Sequence, residues 1–148
     1  MPNLLCLDNS FATGGQATDK AFAKIAASGF RSVLSLRTRL EGVDLERERS
    51  LVEQNGLRYF NIPVVSRAPR PEQADEFLRV VKIPAHHPML IHCATANRVG
   101  GFMMIYRVVE QGWSVEKAFS EALKIGLRGE ELKAFAKDYV ASRAAKQR

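Results

Sequence analysis

The chain contains few cysteines and no long hydrophobic run, and both shortages restrict what it can be. Its 148 residues include two cysteines, too few for a disulfide framework, which favours a reducing compartment. No apolar run approaches the ~20 residues that a membrane helix needs. The first residues also lack the charged n-region of a signal peptide. We therefore expect a cytoplasmic protein that does not interact with membranes.

The chain carries no large excess of charge of one sign, although much of its positive charge lies in Arg67, Arg70 and the tail 143–148. The 22 lysines and arginines exceed the 16 aspartates and glutamates, which leaves a net charge of +6. This moderate excess would steer anionic substrates toward the protein. Basic and aromatic residues do not interleave, so we expect no nucleic-acid partner. The length and the 46% hydrophobic content predict one domain over residues 1–148, with a core of about 11–139 and a basic C-terminal tail at 143–148.

Segments typical of strands and helices alternate along the chain. Strands are predicted at 4–7, 11–13, 32–36, 57–65 and 89–92, and helices at 18–28, 44–55, from Pro71 onward, and at 99–111, 114–125 and 130–143. This alternation predicts an α/β fold with a mainly parallel central sheet and helices on both faces. In such sheets, ligands bind outside the carboxyl ends of the strands.

The segment 92–98 is the most informative part of the sequence. His92 and Cys93 follow the apolar run 88–91, and Arg98 precedes a segment with helical periodicity. A strand that leads through a short loop to a helix N-terminus binds anions, because backbone N–H groups and the helix dipole both favour negative charge. The same field favours the thiolate of Cys93, and Arg98 offers bidentate hydrogen bonds to phosphate oxygens. These residues predict a cysteine nucleophile that acts on a phosphate-like oxyanion.

The loop also supplies a ring of backbone amides. The predicted phosphate-binding residues are Ala94, Thr95, Ala96, Asn97 and Arg98. Asn97 is expected to take the left-handed turn that a glycine would otherwise occupy. His92 is expected either to favour the thiolate by its positive or dipolar character or to bond a nearby carbonyl.

Three other residues have open interpretations. Arg37, at the carboxyl end of its strand, could line the mouth of the pocket or could be a solvated charge. Gln16 could position water or substrate beside the site, or could belong to a simple turn before a helix. Cys6 has no basic residue at loop spacing and is predicted to pack in the interior.

The histidines do not predict a metal site. His86 and His87 precede a proline in a loop, and strand alternation does not bring them together with His92 and Cys93. We therefore expect neither a metal nor a cofactor.

The loop resembles that of cysteine-dependent protein phosphatases. The whole chain is similar to a compact bacterial protein-tyrosine-phosphatase-like family related to the phosphatase domain of beta-lactamase-hydrolase-like proteins. The resemblance covers about residues 11–139 and includes segments 13–16, 29–37, 59–64, 92–100 and 112–116. It implies a cysteine-phosphatase-like fold, a phosphocysteine formed on Cys93 and a phosphate clamp at Arg98. The implied substrate is a phosphorylated protein or a small-molecule phosphate.

Three departures from this pattern leave alternatives open. Four residues separate Cys93 from Arg98 instead of five, a length also seen in rhodanese sulfurtransferases that carry a cysteine persulfide. Val99 stands where a hydroxyl residue commonly eases departure of the thiolate. Ser66 and Arg67 stand where the aspartic acid is expected. The nearest downstream carboxyls are Glu72 and Asp75, of which Asp75 is the candidate general acid, although a carboxylate in the first turns of a helix more often serves the dipole. A sulfurtransferase and a weakly active phosphate-binding or regulatory module are thus alternatives to a phosphatase.

Overall fold

The computed structural model describes residues 1–146, so positions 147–148 of the predicted basic tail lie outside the described residues. Five strands form one sheet: β1 (Leu5–Cys6), β2 (Phe11–Gly14), β3 (Ser32–Ser35), β4 (Arg58–Asn61) and β5 (Met89–His92), in the spatial order β1-β2-β5-β3-β4. The edge strand β1 pairs antiparallel with β2, and the other pairings are parallel. The predicted mainly parallel sheet is confirmed.

Helices flank this sheet. In the described part of the chain they are α1 (Asp19–Ala27), α2 (Leu45–Gln54), α3 (Pro71–Val81), α4 (Asn97–Val109), α5 (Val115–Ile125) and α6 (Glu130–Lys146), with short 3-10 turns at Arg39–Glu41 and Pro84–His86. None of these helices is long and apolar enough to span a bilayer.

The central strand β5 separates two hydrophobic clusters. Its Leu90 packs in a cluster with Phe22 of α1 and Val52 of α2. Its Ile91 points to the opposite face and packs in a cluster with Phe102 of α4. This alternation follows from the two-residue period of a strand, and burial on both faces explains why the first three residues of β5, 89–91, are apolar. The residue that follows β5 therefore emerges between two layers of helices.

Local sequence signals account for most helix starts. The side chains of Thr18, Asp44 and Ser114 each accept a backbone N–H from the first turn of the helix that follows. Pro71 occupies the first position of α3, as its fixed φ and missing N–H favour. The strand predicted at 57–65 is shorter in the structure, Arg58–Asn61, because its partner β3 ends at Ser35, opposite Asn61; the N–H groups of Ile62 and Val64 still donate to the carbonyls of Ser35 and Leu36.

Candidate active site

The loop between β5 and α4 lies at the carboxyl edge of the sheet, where the fold predicts a ligand. Cys93 is the first residue after β5 and is 1% exposed. Its N–H donates to the carbonyl of Gly14 at 3.3 Å, and the N–H of Gln16 donates to the carbonyl of Ala94 at 3.0 Å. Ala94 and Thr95 are partly exposed, so the loop opens to solvent beside a buried thiol.

The left-handed turn of the loop is at Ala96, with φ +70°, and not at Asn97. The prediction for Asn97 was wrong, because this residue begins α4 and uses its side chain elsewhere. Its Oδ1 accepts the N–H groups of Arg128 at 2.9 Å and Gly129 at 3.0 Å. Asn97 thus ties the α5–α6 connection to the loop, while the small side chain of Ala96 limits the crowding of a left-handed conformation.

Arg98 is held in a fixed orientation behind the loop. Its two terminal nitrogens each lie 2.7 Å from a carboxylate oxygen of Glu41, and Nη1 also donates to the carbonyl of Val64 at 2.8 Å. Burial lowers the pKa of Arg98, but hydrogen bonding to Glu41 and the neighbouring Cys93 raise it above its ordinary value. A permanently charged guanidinium therefore lies beside the thiol.

Glu41 is the anchor of this arrangement. It also accepts hydrogen bonds from the backbone N–H of Thr38 at 2.6 Å and from Nε of Arg37 at 2.9 Å. Burial raises the pKa of Glu41, but the hydrogen bonds from Arg98, Thr38 and Arg37 outweigh it and bring the pKa to about 2. The carboxylate is therefore ionised at neutral pH and cannot donate a proton.

From Glu41, the hydrogen bonds extend through Arg37 to Gln16. Nη1 of Arg37 donates to Oε1 of Gln16 at 2.9 Å, and Nε2 of Gln16 donates to Oε1 of Glu48 at 2.8 Å. Neither interpretation drawn from the sequence describes Arg37 fully, because its side chain is only 14% exposed and is paired with Glu41. The side-chain amide of Gln16 likewise bonds to protein groups at both its oxygen and its nitrogen.

Glu48 closes the chain of contacts at His92. Its Oε2 accepts from the hydroxyl of Tyr59 at 2.6 Å and lies 3.1 Å from Nε2 of His92. Burial raises the pKa of Glu48, but hydrogen bonds from His92, Tyr59 and Gln16, together with the charge of His92, bring it to about 2. We call the connected side chains the polar network; its members are Arg98, Glu41, Arg37, Gln16, Glu48, Tyr59 and His92.

The side chain of His92 has two polar contacts. Besides Nε2 against Glu48, its Nδ1 lies 3.4 Å from the carbonyl oxygen of Cys93. The ionised carboxylate of Glu48 therefore orients the imidazole directly before the nucleophile.

The structure does not bring Asp75 to the loop. Its Oδ1 accepts a hydrogen bond from the hydroxyl of Tyr139 at 2.5 Å, and Arg143 lies 3.9 Å away. Both partners belong to α6, and Asp75 also lines a surface pocket with Glu110, which follows the end of α4 far from Cys93. This placement gives no support to the prediction of Asp75 as general acid.

The remaining histidines and the second cysteine lie apart from the loop. Nδ1 of His86 contacts the carbonyl of Val80 at 2.8 Å, and Nε2 of His87 contacts that of Val81 at 2.6 Å. The described residues contain no group of three or more side chains that could hold a metal. Cys6 is exposed on the edge strand β1, so the prediction that it packs in the interior was wrong.

Several residues near the site were not predicted from the sequence, among them Glu41, Glu48, Tyr59 and Arg128. The spacing of Glu48 from the inward-facing Leu45 and Val52 is the one signal that places it on the buried side of α2. Arg128, in the α5–α6 connection, donates from Nη2 to Oγ1 of Thr95 at 2.6 Å. No local motif marks Arg128, because 33 residues separate it from Thr95.

Together these features define an α/β protein of the cysteine-phosphatase class, with a buried cysteine and a fixed arginine at the two ends of an amide-lined loop. Residues 6–145 match the family described as "DSP-PTPase phosphatase fused to NAD+ Kinase". The match covers nearly the whole chain, so the chain belongs to this family and is a phosphatase. No curated protein matches the chain.

Solved structures of other phosphatases share the fold. A DUF442 protein from Shewanella putrefaciens CN-32 has a TM-score of 0.80 and 19% identity, over 96% of this chain and 93% of that one. P. aeruginosa TpbA in complex with pTyr has a TM-score of 0.78 and 21% identity, over 97% and 89%. The core catalytic domain of the S. cerevisiae PP-IP phosphatase SIW14 has a TM-score of 0.78 and 19% identity, over 93% and 85%. Because these sequence identities are low, the structural similarity shows only that this chain and these proteins share a fold.

Proposed function

We propose that this phosphatase hydrolyses phosphate monoesters through a phosphocysteine intermediate on Cys93. The observation that carries the proposal is the bidentate pairing of Arg98 with Glu41, which fixes a buried guanidinium beside a buried thiol. A cation held in advance costs no reorganisation when charge develops on the phosphoryl oxygens. Because the thiol must stay reduced for this chemistry, a reducing compartment such as the cytoplasm suits the enzyme.

The reaction proceeds in two displacements at phosphorus. In the first, Sγ of Cys93 attacks, an S–P bond forms, and the P–O bond to the leaving group breaks with its electron pair on oxygen. The amides of residues 94–98 and the free donors of Arg98 bind the phosphoryl oxygens. In the second, a water molecule attacks the phosphocysteine, the P–S bond breaks, and the thiolate and inorganic phosphate are released. His92, oriented by Glu48, lies directly before the thiolate throughout this cycle.

The carboxyl groups of the polar network supply no proton for the leaving group. Both of its carboxyl groups, Glu41 and Glu48, have a pKa of about 2 and are ionised at neutral pH. Since a general acid typically contributes about 10²–10⁴-fold, we infer that substrates with acidic leaving groups react best. Aryl phosphates, including phosphotyrosine, belong to this group.

The first experiment measures phosphate release from p-nitrophenyl phosphate by the wild type, Cys93→Ser and Cys6→Ser. The two variants carry the same chemical change, but Cys6 is exposed on a distant strand and serves as the matched control. We expect Cys93→Ser to lose activity by more than about 10³-fold and Cys6→Ser to retain it. Rapid acid quench followed by mass spectrometry should detect phosphate bound to Cys93.

The same preparations should be assayed for sulfur transfer from thiosulfate to cyanide. The four-residue spacing between Cys93 and Arg98 is the one feature that favours a persulfide. Thiocyanate without phosphate release would contradict the proposal in favour of a sulfurtransferase. Phosphate binding without either product would indicate a regulatory module.

A substrate comparison should follow. A phosphotyrosine peptide tests the aryl class, and a phosphoserine peptide tests an alkyl leaving group. NADP+ is included because the family description joins this phosphatase to NAD+ kinase, whose product carries a phosphate monoester. The proposal expects the phosphotyrosine peptide to react faster than the phosphoserine peptide, and the reverse order would contradict the inferred lack of a proton donor.

A further inference from the structure

The α5–α6 connection is fixed against the loop that follows β5. The side chain of Asn97 holds the N–H groups of Arg128 and Gly129. Gly126 approaches so closely that a Cβ there would lie 3.1 Å from both the Cβ of Ala96 and the carbonyl oxygen of Thr95. The backbone of this connection therefore contacts the phosphate-binding loop. The position from which the Arg128 side chain extends is fixed relative to that loop.

The exposed side chain of Arg128 extends from this connection to the loop. Its Nη2 donates to the hydroxyl of Thr95, which is partly exposed and lies midway between Cys93 and Arg98. A guanidinium has five N–H donors, and the contact with Thr95 uses one of them. The others are available to a ligand at the mouth of the site.

The charge of Arg128 is not neutralised by the protein. Arg98 and Arg37 both pair with Glu41, whereas no carboxylate in the described range 1–146 lies within ion-pair distance of the Arg128 guanidinium. An arginine anchored by a neutral hydroxyl keeps its full charge for a partner outside the chain. Its planar geometry suits phosphate oxygens in particular.

We propose that Arg128 binds a second phosphate group of the substrate, next to the phosphoryl group that Cys93 attacks. This inference rests on the proposed function, since it uses the loop as the site of the reacting phosphate. Thr95 belongs to the loop whose amides would hold the reacting phosphate, and the guanidinium of Arg128 lies one hydrogen bond from its side chain. The preferred substrate class is thus a compound with two neighbouring phosphates.

The second phosphate could be joined to the first as an anhydride or could be a separate monoester on the next carbon. In the anhydride case, Sγ of Cys93 bonds to the terminal phosphorus, and the bridging P–O bond breaks with its electron pair on the bridging oxygen. The leaving phosphate group has a pKa of about 6 and departs without a proton. Arg128 would then neutralise the charge that appears on it, which suits a site whose carboxyl groups are already ionised.

Calorimetric titration tests the inference without requiring turnover. Cys93→Ser protein is titrated with inorganic phosphate and inorganic pyrophosphate, and also with 3-phosphoglycerate and 2,3-bisphosphoglycerate. Each titration is repeated with Cys93→Ser protein that carries a second substitution, which is Arg128→Gln, Arg128→Lys or Lys124→Gln. Lys124 is the charge-matched control, because it is an exposed cation on α5 that lines a separate groove with Cys6 and Trp113.

We expect pyrophosphate or the bisphosphate to bind about tenfold more tightly than its one-phosphate partner. Arg128→Gln should bring that ratio close to one, Arg128→Lys should restore part of it, and Lys124→Gln should leave it unchanged. A higher affinity for pyrophosphate than for phosphate would identify an anhydride as the preferred linkage. A higher affinity for 2,3-bisphosphoglycerate than for 3-phosphoglycerate would identify two separate monoesters. A ratio near one for both pairs, or a ratio that survives Arg128→Gln, would overturn the inference.

The two proposals fail in different ways. A ratio near one in Cys93→Ser protein that retains Arg128, together with phosphate release from p-nitrophenyl phosphate by the wild type, would overturn the role of Arg128 alone. An Arg128-dependent ratio in a protein whose wild type forms no phosphocysteine would overturn the proposed function and leave an anion-binding site.

Discussion

Glu41 holds Arg98 from behind with both of its carboxylate oxygens, each 2.7 Å from a different terminal nitrogen. The two residues are 57 positions apart, and Arg37 and the N–H of Thr38 complete the coordination of the carboxylate. This pairing determines which donors of Arg98 remain for a substrate. The orientation of the phosphate clamp is therefore set by a residue outside the loop.

Replacing Glu41 by glutamine should lower kcat/KM for p-nitrophenyl phosphate by about 10–100-fold. The amide keeps one acceptor but loses the second, so the guanidinium can rotate away from the reacting phosphoryl group. Steady-state kinetics check this, with Glu46→Gln as control, because Glu46 is an exposed carboxylate that pairs with Arg39 at 3.5 Å. Equal activities of the two variants would show that Arg98 does not need this partner.

Glu48→Gln should reduce stability in a way that depends on pH. The folded-state pKa of Glu48 is about 2, below its ordinary 4.5, so its contribution is complete above pH 4.5 and is lost as pH falls toward 2. The shift corresponds to a contribution on the order of 3 kcal/mol. We expect urea denaturation to show a large difference from wild type near pH 7 and less than about half of that difference near pH 3.

The control for this experiment is Glu53→Gln. Glu53 lies on the same helix but is exposed and pairs with Arg49 at 3.6 Å, so its replacement should change stability by less than about 0.5 kcal/mol. A loss for Glu48→Gln that is the same at both pH values would mean that packing, and not ionisation, accounts for it.

The sheet and the loop could be predicted because their signals are local. Alternating apolar segments give the strands and helices, and Cys93 and Arg98 lie in one continuous segment after an apolar strand. The polar network could not be predicted in this way. Its members come from separate segments that meet only when parallel strands align their carboxyl ends, so Gln16, Arg37 and Glu48 showed no shared pattern along the chain.

Two errors have a common physical origin. Asn97 was expected to be left-handed from its intrinsic preference, but the structure uses its side chain to bind the α5–α6 connection and leaves the turn to Ala96. Cys6 was expected to be buried from its residue type, but it lies on a short exposed edge strand. In both cases tertiary position overrode a residue preference, which a single sequence does not reveal.

Asp75→Asn should leave both activity and leaving-group preference unchanged. Its carboxylate is bound to the hydroxyl of Tyr139, away from Cys93, so its removal should cost stability of about 1 kcal/mol and nothing in catalysis. Rates on phenyl phosphates with substituted rings check the preference, and a double-mutant cycle with Tyr139→Phe checks the contact. A steeper dependence on the leaving group in Asp75→Asn would restore Asp75 as the general acid.

Adjacent glycines in α4 provide a matched test of how the α5–α6 connection is positioned. A Cβ on Gly100 would lie 2.8 Å from the carbonyl oxygen of Ala122 and 2.9 Å from the backbone nitrogen of Leu127, so the backbone must shift. A Cβ on Gly101 would meet its nearest neighbours at 3.7 Å, an ordinary contact. We expect Gly100→Ala to destabilise the protein by about 1–3 kcal/mol, and Gly101→Ala to be neutral or to stabilise α4 by up to about 1 kcal/mol.

The same pair separates stability from substrate binding. Leu127 precedes Arg128, so a shift forced by Gly100→Ala should also weaken binding of compounds with two phosphates more than binding of inorganic phosphate. Thermal denaturation and the calorimetric titrations measure both effects on one preparation. If Gly100→Ala and Gly101→Ala have the same melting temperature, α4 and the α5–α6 connection do not pack as closely as the structure shows, because only the first substitution places a carbon against backbone atoms.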